Sequence, residues 1–105
     1  MATIIADVKC FHAGSAWGAL DLAEIESATV RLHWSDKPYH WHVNDGPEVF
    51  VVLDGSVEMR YRRGGIESAV VLGVGDIFVV EVDDEHVAFP QGEARVLVIE
   101  QRKSD

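Results

Sequence analysis

The sequence predicts an all-β sandwich or barrel. Three observations carry this. From about residue 28 onward, β-branched and aromatic runs are short and evenly punctuated. The punctuation is turn chemistry: Asp54-Gly55, Gly64-Gly65, Gly75-Asp76 and the Pro90 to Gly92 stretch. One run, "SVEMRYR", alternates cleanly, with Val57, Met59 and Tyr61 on one face and Glu58, Arg60 and Arg62 on the other.

Taken in order, Ala16 to Glu26 has a helix-forming composition with Leu20, Ala23 and Ile25 loosely on one stripe, which admits a short helical turn near the N-terminus. "TVRLHW" then alternates as a strand over about 28 to 34, grouping Val30, Leu32 and Trp34. "EVFVVL", Asp54-Gly55 and "SVEMRYR" read as a hairpin, because Asp-Gly supplies the positive φ of a tight turn. Gly64-Gly65 is a second turn, Gly75-Asp76 opens the run "IFVVEV", and Pro90 to Gly92 separates "HVAF" from "ARVLVIEQ".

The 105 residues form one domain, 1–105, long enough to bury roughly two-thirds of the unfolded chain's surface. With 48% hydrophobic and 26% charged residues, the composition is that of a soluble globular protein and implies no membrane partner. Cys10 is the single cysteine and forms no internal disulfide, and the opening "MATIIADVKC" lacks signal-peptide features, so a cytoplasmic location is expected. The net charge of −9 repels phosphate backbones and argues against nucleic acid. The basic cluster Arg60, Arg62 and Arg63 reads as a solvated hairpin end.

The chemistry concentrates in "YHWHVNDGPEVFVVLDG". In a strand His40 and His42 would share a face, roughly 6.6 Å apart, and two such imidazoles can chelate one divalent ion. On spacing alone they could equally be an exposed edge-strand pair. The turn "NDGP" returns the chain so that Glu48, on one face with Phe50 and Val52, enters an apolar interior, where a bare carboxylate is costly and a cation would compensate it. His86, behind the acidic turn Asp83-Asp84-Glu85, is the last candidate ligand. His12 and His33 belong to no paired spacing and read as structural or surface, although the strand of His33 leads toward His40. Trp34, Tyr39, Phe50, Met59, Tyr61 and Phe78 read as core by default.

"HWH", a glutamate a few residues on and Gly55 seven after it resemble the first motif of the cupin superfamily, and "GDIFVVEVDDEH" resembles the second. The likeness spans about 28–100 and is greatest to short single-domain cupins resembling mannose-6-phosphate isomerase. It implies a jelly-roll barrel, one divalent metal ion (Zn, Fe, Mn or Ni), and His40, His42, Glu48 and His86 as its ligands. The chain departs from the family pattern in four places. Five residues rather than three or four separate His42 from Glu48, and Glu81, Asp83 and Pro90 stand where proline, glycine and asparagine are usual.

Such a site leaves open positions on the ion for a small-molecule ligand. The expected function is a divalent-metal-dependent enzyme of isomerase, decarboxylase or dioxygenase type, with a non-catalytic small-molecule or metal-binding module as the alternative. Val49, Val51 and Leu53 with Leu97 and Ile99 leave outward faces apolar, from which a homodimer is expected.

Overall fold

The computed structural model describes residues 2–101. It contains a 3₁₀ turn at Val8–Cys10 and nine strands: β1 Gly18–Ile25, β2 Ala28–Ser35, β3 His42–Val43, β4 Glu48–Asp54, β5 Val57–Arg63, β6 Ile66–Leu72, β7 Ile77–Val80, β8 Glu85–Pro90 and β9 Ala94–Gln101. They form a five-stranded sheet, ordered β1-β2-β9-β4-β7, and a four-stranded sheet, ordered β3-β8-β5-β6. Every pairing is antiparallel. This is the expected all-β jelly roll, and the strand foreseen over 28–34 is β2.

The segment of helix-forming composition is β1 instead, an edge strand laddered to β2 from Gly18↔Trp34 to Ile25↔Ala28. Propensity is a weak preference, and pairing against a neighbouring strand overrides it. The helical turn that does form lies earlier, at Val8–Cys10, where the Asp7 carboxylate accepts from the Lys9 N–H.

Turn chemistry reads well locally and less well globally. Gly64 and Gly65, at φ 58° and 80°, join β5 to β6 in a two-residue hairpin closed by Arg63↔Ile66. Gly55 also has a positive φ, 78°, and any Cβ there would strike the backbone oxygen of Glu93. Yet β4 and β5 do not pair. Both edges of β4 are taken by β9 and β7, so the chain crosses at Asp54-Gly55 into the other sheet, where β5 lies between β8 and β6. The expected hairpin is an arch.

The core lies between the sheets and gathers Phe50, Val52, Val57, Met59, Leu72, Ala88, Val96 and Val98, all buried. The inward face of β4 is the one expected: Glu48, Phe50 and Val52. On β2 the faces are reversed from what the apolar pattern suggests. His33 pairs with Val96 and points with it to the interior, while Leu32 and Trp34 lie on the outer face. Trp34 is nonetheless buried, because the N-terminal segment crosses it. The His12 ring lies 3.9 Å from the indole, and Arg95 Nε donates to the Phe11 carbonyl.

Farther along that outer face Val49, Val51, Leu53, Leu97 and Ile99 are half-buried. Beside them on edge strand β7, Ile77 and Val79 are 61% and 54% exposed as the partners of Val51 and Val49, leaving an apolar stripe uncovered. Among the described residues no helix is long and apolar enough to cross a membrane.

Candidate metal centre

β3 is only two residues long, and its pairing with β8 sets His42 directly opposite His86, ring centroids 4.1 Å apart. Glu48 begins β4 in the facing sheet and reaches across, its Oε1 3.1 Å from His86 Nε2. His42, Glu48 and His86 each offer a ligand atom within 4.8 Å of the others. Metal–nitrogen and metal–oxygen bonds of about 2.1 Å place adjacent ligand atoms roughly 3 Å apart, so the separations suit one shared ion.

The turns on either side are tied together. Asn44 N–H donates to the Asp84 carbonyl and Asp83 N–H to the Asn44 carbonyl, both at 2.9 Å. The buried Asn44 amide also donates to the Gly46 carbonyl. Asp83, in the usual glycine position, adopts φ 72°, the left-handed value glycine takes most readily and aspartate tolerates. The departure at 83 therefore keeps the backbone shape. Asp84 accepts from the Glu81 N–H and from Arg63, and these bonds hold its carboxyl below the ordinary value.

Three buried side-chain atoms here lack a hydrogen-bond partner: Asn44 Oδ1, Glu48 Oε1 and His86 Nδ1. The contact between Glu48 and His86 is close enough for charge pairing, but its alignment leaves Oε1 without a proper bond. Glu48 is 7% exposed and His86 3%. Such orphaned groups are rare in protein interiors, and a bound cation would satisfy the carboxylate oxygen of Glu48. Burial is the largest influence on Glu48 and pushes its acid up. Contacts with His86 and Glu100 and the nearby His42 outweigh it, leaving the group below the ordinary 4.5. The donor set, two nitrogens and a carboxylate oxygen, suits zinc, iron, manganese or nickel.

His40 is placed differently. It precedes β3 in an exposed loop, stacked on Tyr39 at 4.1 Å and with its ring centroid 6.1 Å from that of His42. The expected strand does not extend back to it, since Pro38 interrupts the backbone donors and Tyr39 N–H bonds to Ala88 instead. The loop still serves the site, because the His40 carbonyl lies 3.2 Å from His42 Nδ1. A carbonyl only accepts, so the His42 proton sits on Nδ1 and Nε2 carries the lone pair a metal needs.

A cavity of about 140 Å³ opens beside the three residues, walled by Trp17, Tyr39, Phe50 and Val98 and bordered by His33 and Glu100. Glu100 is the cross-strand partner of Glu48. His33, which reads in the sequence as structural or surface on a strand leading toward His40, and Glu100, which the sequence does not single out, are both brought to the site by the register of β9 against β4 and β2. The other sequence features stay outside it. His12 lies on the outer face, and Cys10 is exposed with its thiol pushed up by the hydrogen bond to Asp7. Arg60, Arg62 and Arg63 pair with Glu58, with Glu67 and Glu85, and with Asp84. Arg62 also covers the Trp41 ring at 3.8 Å. The basic cluster is a paired hairpin end.

No protein-family model and no curated protein matches the chain. Solved structures do. A cupin-2 domain containing protein from Shewanella frigidimarina superposes with a TM-score of 0.76 at 24% identity, over 90% of this chain and 87% of that one. A cupin superfamily protein from Desulfitobacterium hafniense gives 0.75 at 14% identity, over 91% and 87%. A hydroquinone 1,2-dioxygenase in complex with Fe3+ gives 0.77 at 14% identity over 87% of this chain, which spans 29% of that protein. The fold is thus the jelly roll of cupin structures.

Proposed function

We propose that this chain is a cupin-type enzyme that depends on one divalent metal ion and acts on a small molecule. The observation that carries the reading is the convergence of His42, Glu48 and His86, with an orphaned buried carboxylate oxygen on Glu48. His40, one ring away, is proposed as the fourth ligand. Bound there, an ion supplies Lewis acidity or, as iron, oxygenase chemistry. The fold neighbour that carries iron supports this choice of cofactor. The sequence likeness to short cupins of the mannose-6-phosphate isomerase-like kind keeps isomerisation among the candidate reactions.

The chain's own residues have definite tasks. The His40 carbonyl orients the imidazole of His42. Glu48 contributes the negative charge that makes a dication welcome in a buried site. Trp17, Tyr39 and Phe50 exclude water from one side of the cavity.

The test is elemental analysis of protein purified without chelator or affinity-tag nickel. About one metal per chain, lost in a His42→Ala and His86→Ala double variant, is expected; metal-free protein of native fold would sink the reading. Turnover and oxygen uptake with the native metal then separate enzyme from binding module, since saturable ligand binding without product favours the latter.

The apolar stripe of Val49, Val51, Ile77 and Val79 supports pairing of two copies through the five-stranded sheet. A homodimer is part of the proposal, checked by sedimentation of the chain against an Ile77→Lys variant. A cytoplasmic setting is proposed too, since the lone Cys10 thiol suits a reducing compartment.

A further inference from the structure

Trp17 is held in a conformation that bulky side chains rarely adopt, φ 63°. Such strain persists only where the surroundings impose it, and it concentrates at ligand clamps and active sites. Three bonds impose it here. Trp17 N–H donates to the Trp34 carbonyl at 2.9 Å, and its indole N–H donates to the Lys37 carbonyl at 2.9 Å. Its own carbonyl lies 2.9 Å from His33 Nδ1. One strained residue thus fixes an indole wall and, through its carbonyl, the imidazole beside it.

Because that carbonyl can only accept, the His33 proton is on Nδ1 and Nε2 is left with a lone pair. Burial, the largest influence on His33, holds it below the ordinary 6.5, in keeping with a neutral ring. His33 also borders the cavity, so the site contains a hydrogen-bond acceptor that the metal ligands do not use.

The cavity itself selects a ligand class. Its volume of about 140 Å³ is close to that of an engineered cavity of about 150 Å³ that takes up benzene. Trp17 and Tyr39 meet edge to face at 5.7 Å and 71°, which presents aromatic surface to a flat guest. Neither lysine nor arginine lines the cavity, whereas Glu48 and Glu100 do, which disfavours an anionic guest.

We propose that this cavity binds a small, uncharged, hydroxyl-bearing ring of the phenol class, walled by Trp17 and Tyr39, with His33 Nε2 accepting the hydroxyl hydrogen. The proposal rests on the cavity being the ligand pocket of the proposed enzyme, and it requires no ion to be in place.

The experiment is a ¹H–¹⁵N NMR titration of the full chain after EDTA treatment, with phenol, anisole, benzene and benzoate as probes. Phenol is expected to bind about three- to tenfold more tightly than anisole or benzene, the range of one neutral hydrogen bond. Benzoate is expected to bind weakest, and the shifts should centre on Trp17, His33 and Tyr39. His33→Ala should bring phenol to the level of benzene, while His33→Gln, which keeps an acceptor, should retain part of the preference.

Anisole carries a methyl group in place of the donor hydrogen, and benzene is smaller and lacks the hydroxyl. The two controls bracket phenol in size, so the comparison stands even if His33→Ala does not fold. Equal binding of phenol and anisole, tightest binding of benzoate, or no saturable binding would overturn the proposal. Zinc titration of the same sample reports separately on the metal centre. Phenol preference without zinc binding would sink the centre and leave this assignment, and zinc binding without phenol preference would do the reverse.

Discussion

Glu48 and Val52 lie on the same face of β4, yet their surroundings are opposite. Val52 is 0% exposed and belongs to an apolar cluster with Val57, Met59 and Val96. Glu48, one turn of the pleat beyond Phe50, shares its end of the barrel with His42, His86, His33 and Glu100, and its Oε1 lacks a hydrogen bond. One half of the interior maximises packing; the other keeps buried polar groups unsatisfied. The difference teaches that dense packing and the candidate metal centre are separated along a single strand.

The largest effect should come from the apolar half. Met59 is 0% exposed, and Met59→Ala should cost about 2–5 kcal/mol in urea unfolding, because the packed cluster cannot collapse fully into the space left. Metal bound per folded chain should not change. Loss of metal in protein still folded would erase the separation between the halves.

Glu48→Gln makes the opposite cut. It keeps volume and removes the anionic ligand, so metal affinity should fall by more than the roughly 10–100-fold that loss of an outer partner costs. Metal-free stability should stay within about 1 kcal/mol, since the charge pairing and the burial cost of the carboxylate oppose each other. Chelator competition and urea unfolding on the same samples measure the two effects.

Acid should act chiefly on the polar half. The folded state holds His33 below the ordinary 6.5, so as pH falls below 6.5 the unfolded chain takes up the proton first and stability declines until the folded pKa is passed. Glu48 has the same sign: held below the ordinary 4.5, its contribution is present above that value and is lost as pH falls further. The metal-free chain should therefore lose stability in two stages on acidification. His33→Gln should flatten the upper stage, and an unchanged upper stage in that variant would assign the titration elsewhere.

The apolar half was the more legible in the sequence. Alternation placed Val57 and Met59 inward, and the shared face of Glu48, Phe50 and Val52 followed from the period of a strand. Gly64-Gly65 gave its hairpin for the same local reason. Asp54-Gly55 misled because turn residues fix a dihedral angle and leave open the sheet that the next strand joins. His33 reads as structural or surface because the apolar stripe of β2, Leu32 and Trp34, faces outward beneath the N-terminal segment, and no local pattern in β2 records that cover. Two of the metal-site candidates, His42 and His86, are cross-strand partners that lie far apart in sequence, and the two-motif resemblance supplied what periodicity could not.

His40 gives the smallest and most discriminating prediction, because it stands at the boundary between the polar half and solvent. To reach an ion held by His42, Glu48 and His86 it must give up its stack on Tyr39 and order an exposed loop, and both costs subtract from what its bond contributes. His42 already faces His86 from a paired strand and has little left to order. His40→Ala should therefore weaken metal binding by less than His42→Ala, by up to about tenfold, with the difference appearing as faster metal release. Equal losses in chelator competition would mean that the loop is set for coordination before the metal arrives. In that event the boundary between the ordered and the exposed parts of the centre would lie beyond residue 40.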